Sequence, residues 1–121
     1  MRPALFLPLI LLATPAAAEP ALVAAAPANG ASVAKVTRLS LTFSEPIAPA
    51  STVELVMTGM PGMKDHPPMP IRGFAAAVDR DGRSLTAPLP RALPAGSYDL
   101  RWRAVGADGK PNTGTIRFTA K

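Results

Sequence analysis

The chain predicts an all-β fold, a Greek-key β-sandwich of about seven short strands. Three observations carry this. Apolar and polar residues alternate with a period of two in several segments, as in half-buried antiparallel strands. Proline, glycine, asparagine and aspartate fall between those segments. No stretch keeps a helical period, and fifteen prolines disfavour long helices. Many short strands within about a hundred residues are the pattern of a sandwich.

The elements follow in order. Ala21–Ala26 is a first apolar run, closed by Pro27-Ala28-Asn29-Gly30. Arg38–Ser44 alternates strictly, with Leu39, Leu41 and Phe43 on one face. Thr52–Met57 aligns Val53, Leu55 and Met57. Ile71–Val78 is a weaker strand, and Asp79-Arg80-Asp81-Gly82 signals a turn. Ser84–Leu89 aligns Leu85, Ala87 and Leu89. Ser97–Val105 has the clearest pattern: Tyr98, Leu100, Trp102 and Ala104 face one way, Asp99, Arg101 and Arg103 the other. Gly106–Gly114 is expected to turn, and Thr115–Ala120 to close the fold with Ile116, Phe118 and Ala120 inward.

The N-terminus predicts export. Arg2 precedes an apolar run from Ala4 to Leu12, then Ala16-Ala17-Ala18. This is the layout of a secretory signal peptide, residues 1–18, cleaved after Ala18. The run is too short to span a bilayer, which takes roughly twenty residues. The mature chain, residues 19–121, is then one soluble, exported domain. It has no cysteine, so an oxidising compartment does not cross-link it, and thiolate is excluded as a metal ligand. The net charge of +5 falls to about +4 when Arg2 leaves. The arginines are scattered singly on strand faces, and nucleic acid is not an expected partner.

Every soft or imidazole ligand of the mature chain lies in one window. Met57, Met60, Met63 and Met69 surround His66, the only histidine. Gly59, Pro61, Gly62, Pro67 and Pro68 break regular structure there and put the segment on a surface loop. Methionine fills irregular cores, and Met57 continues the Val53, Leu55 face. Exposed loop methionines hide little apolar area, so packing explains the others poorly. Uncharged thioether sulfur suits copper in its reduced state, Cu(I). A neutral imidazole completes a low-coordinate site. The expected metal ligands are therefore Met57, Met60, Met63, His66 and Met69, with four of the five binding. Asp65 is read as a solvated loop charge.

Several segments resemble the CopC family of periplasmic copper-resistance proteins. They are Leu22-Val23 with Ala26-Pro27-Ala28-Asn29-Gly30, Leu41-Thr42-Phe43-Ser44-Glu45-Pro46, Leu93-Pro94-Ala95-Gly96-Ser97-Tyr98 with Arg101-Trp102-Arg103-Ala104-Val105, and Ala107-Asp108-Gly109. The resemblance spans the mature chain. It implies a cupredoxin-like sandwich that stores or transfers copper, with a Cu(I) site on a Met/His loop. It also implies a Cu(II) site built from an N-terminal amine, a histidine near the mature N-terminus, and the Asp and His of an Asp-Gly-His turn. Here the N-terminus is Glu19-Pro20-Ala21-Leu22 and the turn is Asp108-Gly109-Lys110. A protonated lysine accepts nothing, so the Cu(II) site is expected to be lost.

The expected function is a Cu(I) buffer or carrier, exchanging copper with a membrane or periplasmic copper-handling protein. The alternative is an Ig-like interaction module that docks a protein on its Met-rich loop. A third possibility is a relic Cu(II) site at Asp108 and Glu19. An enzyme is not expected. Histidine-brace oxygenases need an N-terminal histidine, and a single histidine without cysteine supports no hydrolytic triad. Oligomeric state is left open, since Cu(I) could bridge two loops.

Overall fold

The computed structural model describes residues 19–63 and 67–121. The expected signal peptide and three loop residues, Lys64, Asp65 and His66, lie outside the described residues. Among those described there are nine strands and no helix. They are β1 (Leu22–Ala26), β2 (Ser32–Val33), β3 (Arg38–Phe43), β4 (Thr52–Gly59), β5 (Met69–Ile71), β6 (Ala77–Val78), β7 (Ser84–Pro88), β8 (Gly96–Val105) and β9 (Pro111–Ala120). One sheet has the order β1-β3-β7-β6, the other β2-β9-β8-β4-β5. All pairings are antiparallel except that of β2 with β9.

The alternation places the core. Leu39, Leu41, Phe43, Leu55, Met57, Leu85, Ala87, Tyr98, Leu100, Trp102, Ala104, Ile116, Phe118 and Ala120 form one buried cluster between the sheets. Phe43 meets Trp102 edge to face at 5.1 Å between ring centroids, and Tyr98 stacks on Phe118 at 5.4 Å. Such pairs add about 0.5–1.5 kcal/mol beyond their burial. The Tyr98 hydroxyl donates to the Pro94 carbonyl at 2.6 Å, a tyrosine corner that pins the entry of β8. Gly114 lies beneath the Trp102 indole, where a side chain would collide with the ring.

Two segments differ from expectation. Ile71–Val78 is not one strand. It is divided between β5 and β6, which belong to different sheets, and Gly73, at φ +89°, stands in the crossover. A crossing segment buries first one face and then another, so it shows no single alternation. The expected turn at Gly106–Gly114 is shorter: β9 already begins at Pro111, which lacks an N–H and suits a strand's first residue. With the two-residue β2, these make nine strands where about seven are expected.

Candidate metal centre

Four of the five expected ligands lie at one end of the five-stranded sheet. Met57 is in β4, opposite Tyr98 of β8 and Met69 of β5. Directly opposed residues share a face, with Cβ atoms about 5 Å apart. Met57 and Met69 therefore sit side by side on the inner face. Met57 is 5% exposed and part of the core, while Met69, on an edge strand, is 49% exposed.

Beyond Met57 the chain bulges, because Gly59 rather than Thr58 pairs with Ser97. Met60 and Met63 then close a two-residue turn. The Met63 N–H donates to the Met60 carbonyl at 2.9 Å, and the Met60 N–H returns to Met63 at 3.2 Å. Pro61 supplies the fixed φ of the first central position, and Gly62, at φ +80°, the left-handed second. Met60 and Met63 are thereby directly paired, 37% and 52% exposed. Placement of His66 relative to them lies outside the described residues.

Gly96 belongs to this end as well, a role that sequence reasoning did not assign. A Cβ there would stand 2.8 Å from the Met57 methyl and against the Gly59 carbonyl. The missing side chain makes room for both the bulge and the Met57 thioether. The hollow beneath the turn, about 410 Å³, is lined by Met60, Gly62, Gly96, Ser97, Thr119 and Lys121, and among the described residues by no aspartate or glutamate side chain. Its described lining is thus neutral sulfur beside a lysine. It is poor ground for a hard divalent ion. Among the described residues no three His, Cys, Asp or Glu side chains gather anywhere.

The opposite end holds Asp108 and the segment that leads into β1, Glu19–Ala21. The Asp108 carboxylate accepts the Lys110 N–H at 2.9 Å, and the Gly106 N–H donates to the Lys110 carbonyl at 3.0 Å. Asp108 therefore serves its own turn. Pro20 is fully buried and packs against Gly106, and its carbonyl accepts a 2.7 Å bond from the Asn112 amide. Asn112, which carries no sequence signal of its own, ties the first residues of the domain to β9.

Comparison with known proteins now decides the family. The CopC domain model matches residues 22–121. The chain belongs to the CopC family. Copper resistance protein C of Pseudomonas syringae pv. tomato is 40% identical over 115 residues, covering 93% of this chain and 88% of that protein. Its counterpart in Xanthomonas campestris pv. juglandis is 39% identical over 112 residues, 92% of this chain and 87% of that protein. PcoC of Escherichia coli, described as a methionine-rich copper resistance protein, superposes with a TM-score of 0.77 at 37% identity. The match covers 86% of this chain and all of PcoC. This CopC chain shares with PcoC the two-sheet, cupredoxin-like β-sandwich.

Proposed function

We propose that this CopC chain is a periplasmic copper-binding protein that buffers or carries Cu(I). The observation that carries the reading is the tight turn that pairs Met60 with Met63 in the open, beside the Met57–Met69 cross-strand pair. Packing gives no reason to hold two thioethers together on an exposed turn. Cu(I), which prefers soft neutral donors, does. The relatives named for copper resistance support the same reading. Met60, Met63, Met69 and His66 are the principal ligands, and Met57 is shared with the core. Copper here is cargo, taken from or passed to a membrane or periplasmic copper-handling protein. The domain, residues 19–121, follows removal of a signal peptide, residues 1–18. No catalytic step is part of this reading.

The Cu(II) site implied by the family resemblance is absent from the proposal for three reasons. Lys110 stands where a histidine ligand would be. Asp108 is engaged with the Lys110 N–H. An N-terminus at Glu19 is followed by Pro20, which has no amide proton to lose to a chelated metal. The chain should therefore show no tight Cu(II) binding.

The test is a Cu(I) titration of the mature protein against a chromophoric chelator under reducing conditions. One equivalent should bind, and replacing Met60 and Met63 by Leu should weaken it by at least about tenfold, about 1.4 kcal/mol. Leu keeps the bulk and loses the sulfur. Unchanged Cu(I) binding in that variant would favour the docking-module reading instead.

A further inference from the structure

A groove opens where the edge strand β5 passes the loop before β8. It measures about 330 Å³, with Phe74, Leu89 and Ile71 half-buried at its floor and Pro70, Pro90 and Pro94 in its walls. Arg72 and Arg91 also line it, both exposed. Among the described residues no aspartate or glutamate lines the groove. Among them, too, the ion pairs are Arg101–Glu54 and Arg117–Asp99, both on the outer face of β4, β8 and β9 in the same sheet. Arg72 and Arg91 take part in neither. Among the described residues, two cations thus flank an apolar floor whose own lining holds no anion; Glu54, in the adjoining hollow, is paired with Arg101. A second hollow, about 370 Å³, shares Pro70, Ile71, Arg72 and Phe74 and continues the groove along β5 towards Thr52 and Glu54.

We propose that this groove docks an extended acidic segment of a partner protein, its carboxylates on Arg72 and Arg91 and its apolar side chains on Phe74 and Leu89. Charge complementarity decides the class of partner, because unpaired arginine forks match carboxylates in geometry as well as sign. The apolar floor between them decides against a purely charged surface. Pro70 has no N–H to offer an added strand, so side chains rather than a backbone ladder must hold the segment.

Position gives the groove its meaning. Arg72 is the residue after β5 and follows Met69 by three residues, roughly 10 Å of extended chain. A partner seated on Arg72 has the exposed Met69 thioether within reach. This link to copper rests on the proposed function, whereas docking itself rests only on the groove.

The experiment uses metal-free mature protein, so that failure of docking and failure of copper binding are told apart. A short peptide of alternating glutamate and valine is titrated into the isotopically labelled protein at low salt. Amide shifts should gather at residues 70–74 and 89–94. Affinity should fall about tenfold in Arg72→Glu and again in Arg91→Glu, and fall steeply towards 1 M salt, where the Debye length shrinks to about 3 Å. Arg38→Glu, an exposed arginine of the other sheet that lines neither hollow, should bind like the parent. Cu(I) titration of the groove variants should be unchanged. No peptide binding, shifts elsewhere, equal binding of a lysine–valine peptide, or a groove that takes phosphatidylglycerol vesicles but not the peptide would each overturn the proposal.

Discussion

At the scale of residues, the methionine-rich end depends on one absent side chain and several soft ones. Gly96→Ala would push a methyl into the Met57 thioether and the Gly59 carbonyl. Overpacking of this kind costs about 1–3 kcal/mol. The expected outcome is a lower melting temperature together with weakened Cu(I) binding, measured on the same preparation. Tyr98→Phe removes only the bond to Pro94 and should cost about 1 kcal/mol in denaturant unfolding. The proposed ligands could be named from the sequence because soft donors are rare and fall in one window. Gly96 was not, since its importance lies in what approaches it from a strand far away in the chain.

Among the elements, the turn at Met60–Met63 and the edge strand β5 carry the three exposed methionines proposed as ligands. Gly62 holds φ +80°, which a side chain tolerates poorly. Gly62→Val should loosen the pairing of Met60 with Met63 and weaken Cu(I) binding severalfold. The melting temperature should hardly change, because the turn is exposed and contributes little to the core. Calorimetry and the chelator titration read the two effects separately. The long strands β3, β4, β8 and β9 were legible because each keeps one buried face over five or more residues. Two-residue strands such as β2 and β6 offer too few positions for a period to appear. The crossover from β5 to β6 changes sheets midway, so its pattern cancels.

For the whole molecule, two groups set the pH range of stability among those with displaced pKa values. Asp81 lies below its ordinary 3.8, first because the Arg83 backbone N–H donates to it, then because the Ser84 hydroxyl does. A lowered carboxyl pKa stabilises the fold above about pH 4 and loses that contribution as pH falls through the folded-state value. Tyr98 lies above its ordinary 10.0 because burial disfavours the phenolate. Its contribution is intact below pH 10 and is lost as pH rises through the folded-state value. Melting temperatures across pH should show a shallow acid decline that Asp81→Asn flattens. An alkaline decline above about pH 10 should be absent in Tyr98→Phe. The same whole-molecule view separates the two ends of the sandwich. One end presents thioethers around a hollow whose described lining has Lys121 as its only charged side chain. At the other, Asp108 fastens its own turn and the Asn112 amide ties Pro20 to β9. The measurement that tests this division most directly is the methyl spectrum of the mature protein labelled at its methionines, recorded as Cu(I) is added. The account predicts that the Met60, Met63 and Met69 methyl signals move together and saturate at one equivalent, with Met57 moving less. Cu(I) binding that leaves all four signals in place would contradict it.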